Sequence, residues 1–368
     1  MSKQVKIAHL TSAHPDGDVR IFHKECVSLA TAGFDVSMIL PNTISRTEKG
    51  VSIVSFPAKK GSRFYRMFNV VNKVCREAII LDADVYHLHD PELLRIALKL
   101  KRKGKTVIYD AHEDLPRQII SKAYIPKLFR KIIASIIEKY ENSRVRKLDG
   151  AITATPFIRD RFIKVNANTI DINNYPLIEE IDFIEQSWTD KNRSVCYIGG
   201  LTEIRGIKEL VLAAGIADIQ IEVAGELSES LKTKLQSLNG WKNIKLHGYI
   251  SRKESMTLKA KSMAGVVTFL KAENHINAQP NKIFEYMASG IPVISSNFEL
   301  WKQIVEKNEC GICVDPSDPN EIAKAIIFVV DNPEAAKKMG ENGIRLVKEK
   351  YNWDIEKKKL VEFYLKLI

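Results

Sequence analysis

Residues 279–297 read QPNKIFEYMASGIPVISSN, a turn, a short helix and a strand. Ile283, Phe284, Met287 and Ala288 can all enter a core, so Glu285 stands out. A carboxylate one turn into a short helix either lies on a solvated face or accepts the two hydroxyls of a ribose, as acidic groups do in dinucleotide sites. Pro280 closes the preceding loop, Asn281 is suited to cap the helix, and Gly290 to end it. The helix is then expected to start at Lys282. The free N–H groups of residues 281–284, Ile283 among them, would favour a diphosphate, and Lys282 would add charge.

A second stretch, CYIGGLTEIRGIKEL, reads as strand, glycine turn and helix. Gly199 and Gly200 let backbone approach a ligand, and Arg205 can fork onto phosphate oxygens. The spacing is neither a dinucleotide fingerprint nor a P-loop, so a structural turn and a phosphate site both stay open. Gly225-Glu226 and Gly248-Tyr249-Ile250 end two further strands on the same expected edge. There Tyr249 and Ile250 could bracket a flat base.

In the first half, TSAHPDGDVRIFHKE follows a strand, and Asp18 either caps the next helix or helps cradle a substrate. VYHLHDPELL and IYDAHEDLP bring His89, Asp90, His112 and Asp114 to two more strand ends, where imidazoles beside carboxylates suit polar chemistry. No dedicated metal spacing is present. Cys310 and Cys313 form C-x-x-C without a second pair, inside a strand-like run, so packing is the expectation.

The elements that must position these groups are legible. In both halves short strand-like runs alternate with helical ones, which implies parallel sheets covered on both faces. Residues 173–194 lack a period and read as a linker. The expected fold is α/β, two doubly wound Rossmann-like domains facing a cleft, over residues 1–175 and 190–351. Ligands then belong beyond the carboxyl ends of the strands. The chain of 368 residues has no long apolar run and no signal-peptide core, so a cytoplasmic protein is expected.

Residues 1–180 carry 30 Lys/Arg against 20 Asp/Glu, and the remainder 26 against 25, so the net +11 belongs mostly to the first half. That half should meet something anionic. In residues 63–80, Phe64, Tyr65, Met67 and Phe68 lie among Arg63, Arg66, Lys73 and Arg76, which favours an interfacial membrane contact. In residues 125–140, Leu128, Phe129, Ile132, Ile133, Ile136 and Ile137 form a stripe whose expected place is the core, with Arg130, Lys131 and Lys139 outside.

Taken together, YIGGLTEIRGIKELVLAA, AGELSE, LHGYI, NKIFEYMASGIPVISSN, CGICVDPSDPNEIAKAI, HPDGDVRIFHKE, HLHDPELL and YDAHEDLP resemble the retaining GT-B glycosyltransferases of family four. The last three resemble a subset that builds bacterial surface polysaccharides. The resemblance implies a nucleotide-sugar donor on the C-terminal domain and an acceptor on the N-terminal one. It implies that Arg205 holds the diphosphate, that Glu285 binds the donor ribose as the second glutamate of E-x7-E, and that His112 contacts the transferred sugar. It also implies that the closing helix, 352–368, packs back on the N-terminal domain. Two positions depart from the pattern: Asn277 replaces the first glutamate of E-x7-E, and Gly200 replaces an arginine of the glycine turn.

The implied reaction moves a sugar from a nucleotide-sugar, with uridine preferred, to a lipid-linked glycan acceptor, with retention and no obligatory metal or other cofactor. Asp18 and Asp114 are candidates for orienting the acceptor. The expected place is the inner face of the cytoplasmic membrane, bound through the basic half to anionic lipid. Nucleic acid is not expected as a partner, because no RNP, zinc-finger or helix-turn-helix signature accompanies the charge. A GT-B sugar-nucleotide epimerase and a non-catalytic basic membrane- or nucleic-acid-binding protein are the alternatives.

Overall fold

The computed structural model describes residues 4–59, 61–122, 125–180 and 188–368. The chain forms two compact units, Met1–Asn174 with Asp354–Ile368, and Tyr175–Trp353.

The first unit is built on eight strands: β1 (Lys6–Leu10), β2 (Asp35–Pro41), β3 (Arg46–Glu48), β4 (Val51–Phe56), β5 (Val85–Leu88), β6 (Thr106–Ala111), β7 (Gly150–Thr153) and β8 (Thr169–Asp171). Their order is β3-β4-β2-β1-β5-β6-β7-β8, parallel except where β3 runs antiparallel to β4. β3 and β8 are additions to the sequence reading. They are three residues each and polar, too short to show a period. The chain runs outward from β1 first through β2 and later through β5, so the order reverses at β1/β5. In doubly wound sheets that reversal opens a crevice at the strand ends.

Register decides which side chains meet there. His9 on β1 is level with His87 on β5, and His87 with Ile108 on β6. Side chains alternate along a strand, so His9, His87, His89, Ile108 and Asp110 share one face. Helix residues Val19–Cys26 cover that face and bury Arg20, Lys24 and Glu25 against it. The closing helix Trp353–Leu367 belongs to this unit: the Tyr364 hydroxyl lies 2.7 Å from His87 Nδ1, and Glu356 accepts the Asn173 N–H at 2.7 Å.

The second unit has six parallel strands: β9 (Ser194–Ile198), β10 (Gln220–Ala224), β11 (Ile244–Gly248), β12 (Gly265–Val267), β13 (Val293–Ser296) and β14 (Gly311–Val314). Their order, β11-β10-β9-β12-β13-β14, reverses at β9/β12. Tyr197, Phe284, Tyr286 and Trp301 fill its core. Cys310 and Cys313 are packing residues on and beside β14. Burial pushes their thiols up to about 12 and about 11, and Cys313 lies 3.2 Å from the Ser295 hydroxyl.

Two expectations are corrected. The helix carrying Glu285 spans Asn281–Ala288, so Asn281 is its first residue and Pro280 its cap. Pro280 is already set at φ −62°, and its carbonyl accepts the Ile283 N–H at 3.1 Å, so that N–H is not free for a ligand. The apolar stripe of helix Lys127–Val145 is also not in the core: Leu128 is 78% exposed and Ile136 61%, with Phe129 and Ile132 also exposed. In the earlier basic segment Phe64 and Phe68 are exposed as expected, and the Arg95 guanidinium lies 4.2 Å from the Phe68 ring. Among the described residues no helix is long and apolar enough to cross a membrane.

Candidate functional site

In the first unit the polar groups gather around one carboxylate. Asp110 is fully buried and accepts two hydrogen bonds from Arg20, Nε to Oδ2 at 3.1 Å and Nη2 to Oδ1 at 2.9 Å. His112 Nε2 lies 2.9 Å and His89 Nδ1 3.3 Å from Asp110 Oδ2. Burial alone would raise the Asp110 carboxyl. Arg20, His112 and His89 outweigh it and hold the group well below the usual carboxylate range. The same burial pulls His89 down to about 4 against the attraction of Asp110. His9 and His87 are fully buried and held well below the ordinary imidazole value, first by burial and then by neighbouring imidazoles, so both are neutral.

A chain of rings leads outward from the core. His9 Nδ1 lies 2.8 Å from His89 Nε2, and His89 Nδ1 3.1 Å from His112 Nε2. The His112 and His14 rings are 5.1 Å apart. His14 Nδ1 in turn lies 3.1 Å from Asp18. Asp18 caps its helix by accepting the Ile21 N–H at 2.9 Å. Burial opposes the charge on both partners of this pair, yet Asp18 is lowered by His14 and the Ile21 N–H, while His14 is raised by Asp18 and Asp90. Asp90 accepts from the Thr11 hydroxyl at 2.9 Å and the Ser12 N–H at 2.6 Å, so it ties down the loop after β1.

His112, His89, Asp90 and Asp18 are thus brought together. Asp114 is placed elsewhere, with Arg117 Nε at 3.6 Å and Arg161 Nε at 4.0 Å. Burial raises its carboxyl despite both arginines. Sequence reasoning missed Asp110, Arg20, Glu25, His9, His14 and His87. The alternation H-x-H at the end of β5 and D-x-H at the end of β6 was the available signal for a polar stripe on one face.

In the second unit the strand ends carry cations and glycines. Gly199 (φ +141°) and Gly225 (φ +149°) lie back to back: a Cβ on Gly225 would stand 2.0 Å from the Gly199 carbonyl oxygen. A Cβ on Gly199 would stand 2.2 Å from Lys282 Cε, so the glycine clears the path of that side chain. Arg205 donates from Nη1 to the Gly200 carbonyl at 3.3 Å. Its guanidinium carbon lies 5.5 Å from the Phe269 ring centre, and Lys282 Nζ 5.9 Å. Burial, then Arg205, pull the Lys282 ammonium down to about 8, with Glu285 opposing. Among the described residues neither Arg205 nor Lys282 has a carboxylate within ion-pair distance. Such a pair of like charges is suited to an anion.

Glu285 is about a third exposed, and its Oε2 lies 3.7 Å from the buried Lys259 ammonium. It therefore pairs with Lys259 and still shows part of its surface. Asn277 is half-buried in the turn before the helix, Asn281 is exposed, and the Ile283 side chain is fully buried. Beyond β9, β10 and β11 an open pocket of about 830 Å³ is lined by Gly225, Glu226 and Tyr249 together with Leu201, Thr202 and Leu246. Tyr249 is 84% exposed. Arg205, Lys282, Glu285 and Ile250 do not line that pocket.

Comparison with known proteins covers both units. Residues 16–172 match Glycosyltransferase Family 4, and residues 178–346 match Glycosyl transferases group 1. An uncharacterized glycosyltransferase of Methanocaldococcus jannaschii is 22% identical over 320 residues, 83% of this chain and 78% of that protein. Among solved structures, the sucrose-phosphate synthase of Thermosynechococcus elongatus superposes with a TM-score of 0.76 at 18% identity, covering 99% of each chain. Anabaena HepE, solved in complex with UDP-glucose, gives 0.72 at 14% identity, covering 99% of this chain and 100% of that one. The solved structures share the GT-B fold along the whole length, and the family matches make the chain a glycosyltransferase, with a Family 4 match in its first unit and a group 1 match in its second.

Proposed function

We propose that this glycosyltransferase moves a hexosyl or N-acetylhexosaminyl group, with retention, from a UDP-sugar to a lipid-linked glycan acceptor in surface-polysaccharide synthesis. The observation that carries the donor half is the pair Arg205 and Lys282, two cations without a carboxylate partner among the described residues, at the strand ends of the second unit. A leaving diphosphate would supply the missing negative charge. Because the cations are held in place beforehand, they would stabilise it without reorganising, which is how fixed donors lower a barrier. Glu285 is proposed as the ribose ligand, with Asn277 beside the sugar. Asn281, Lys282 and the neighbouring backbone are proposed at the phosphates. The pocket at Gly225, Glu226 and Tyr249 offers room for a flat base. UDP-glucose in the HepE complex supports uridine.

In the first unit His112 gives Nε2 to Asp110, which leaves Nδ1 to meet the transferred sugar. Asp18, reached through His14, is proposed to orient the acceptor, with Asp114 acting from further away. No metal enters this scheme. The exposed Phe64, Phe68, Leu128 and Ile136, set among lysines and arginines, support a peripheral seat on anionic lipid at the inner membrane face.

The test is a thermal-shift panel of UDP, GDP and ADP on the wild type, Glu285→Ala and Glu285→Gln. A ligand that binds the native state raises the melting temperature by mass action. UDP should stabilise the wild type, and both variants should lose most of that shift. Because Glu285→Ala also strands Lys259, the glutamine variant is the cleaner comparison. A wild type indifferent to all three nucleotides would sink the donor-site assignment.

A further inference from the structure

We propose that His9, Glu25 and His87 hold a zinc-class divalent cation in the core of the first unit, apart from any reacting group. These three residues and His89 are fully buried, and each places a ligand-type atom within 4.8 Å of those of the other three. Four atoms of three of these residues lack a partner. His9 Nε2, His87 Nε2 and both Glu25 oxygens are buried without a hydrogen-bond partner. Buried polar atoms are nearly always partnered, so orphans on three neighbouring residues call for a common ligand.

Proton bookkeeping shows what kind of ligand. Asp110 is a carboxylate and only accepts, so the His89 nitrogen facing it, Nδ1, carries the hydrogen. That leaves a lone pair on His89 Nε2, and His9 Nδ1, 2.8 Å away, must donate to it. With that hydrogen on Nδ1, the other nitrogen of the His9 imidazole, the orphaned Nε2, is a bare lone pair. On the far side His87 Nδ1 lies 2.7 Å from the Tyr364 hydroxyl oxygen and 3.9 Å from Glu25 Oε2, and when Nδ1 donates to the hydroxyl the orphaned Nε2, 4.0 Å from Asp110 Oδ2, is left bare. Both imidazoles then show the pattern of metal ligands: one nitrogen bare, the other donating to an outer partner that fixes the ring. Glu25 completes the set with oxygen. Two neutral imidazoles and a carboxylate are donors that zinc accepts, and binding would draw them in toward metal–ligand distances of about 2 Å.

The adjacent charges permit this. Arg20 Nε lies 3.0 Å from Glu25 Oε1, but its hydrogen points to Asp110, and Asp110 neutralises the guanidinium. The outer group His89, Asp110 and His112 is the poorer site, because Asp110 is already engaged by Arg20 and both rings. The cation would tie β1, β5 and helix Val19–Cys26 together as a structural clamp, independently of the transfer reaction.

The experiment uses the purified full chain. Elemental analysis should find about one zinc per chain after expression with the metal. Chelation should lower the melting temperature, and added zinc should restore it. Glu25→Gln keeps the shape of the side chain but replaces its carboxylate with a weaker donor, so it should fold while losing the zinc response. His112→Ala should keep it. Cobalt added to the chelated wild type should give a d–d spectrum without a thiolate charge-transfer band. The proposal is overturned if the wild type takes up neither zinc nor cobalt and its melting is blind to both. It is equally overturned if Glu25→Gln binds zinc like the wild type, if His112→Ala loses the metal, or if a thiolate band places the ion on cysteine.

Discussion

The two units handle charge in opposite ways. The first buries its ions and pairs them: Arg20, from helix Val19–Cys26, meets Asp110 on β6, with Glu25 and three imidazoles packed around them. The second keeps two cations together at its strand ends, near one aromatic ring, and gives them no carboxylate partner among the described residues. Buried pairs hold a structure in one arrangement, because removing either partner strands the other. Unpaired like charges do the reverse. They cost stability in the free protein and are relieved by a bound anion. The same layered fold thus presents one site made firm by its own charges and another left under electrostatic tension for a ligand.

Substitutions can break or sharpen this contrast. The largest effect is expected from Asp110→Asn, which leaves Arg20 buried with only Glu25 beside it. Breaking a buried pair costs about 3–5 kcal/mol, and chemical denaturation of the full chain should show that loss in the first unit. Lys282→Met should act with the opposite sign. It should leave the free protein as stable or more stable near neutral pH, yet abolish the thermal shift produced by UDP or inorganic pyrophosphate.

The pH dependence follows the same logic. Lys282 titrates at about 8 in the fold and near 10.5 when unfolded, so its charged form is disfavoured by folding. The penalty is full below about 8 and fades as pH rises toward 10.5. The wild type should therefore gain stability relative to Lys282→Met across that window. A flat difference between the two would show that the second unit is under no such tension.

Tyr364→Phe should cost about 1 kcal/mol, the usual worth of one hydrogen bond, read from the denaturation midpoint. The smallest stability effect belongs to the exposed apolar face. Leu128→Ser with Ile136→Ser should change stability by no more than about 0.5 kcal/mol each. Binding to vesicles of anionic phospholipid should fall clearly. Unchanged vesicle binding would remove that face from the membrane reading.

Much of the fold was legible because its signals are local. Strands of β-branched residues ending in Gly199 or Gly225 announce themselves, and so does a helix opened by Asp18. What escaped depends on register. Nothing in IAHLTS says that His9 will stand level with His87, because the pairing is set by strand order across 78 residues. Lys282 was legible as a cation but not as one lying over Gly199, since that contact joins two distant turns. The stripe on helix Lys127–Val145 shows the opposite failure. Its period is that of a core helix, and periodicity alone cannot tell a buried face from one kept for something outside the chain.

The contact of Tyr364 with His87 has a consequence for how the protein is made. The first unit borrows its last helix from the far end of the chain, 277 residues after the imidazole it touches. During synthesis the second unit is complete in sequence while the first still waits for its final segment. The part translated first is therefore finished last. A polypeptide that stopped before Tyr364 would carry an intact second unit and a first unit without its closing helix, and the uncovered polar core would expose that product to proteolysis.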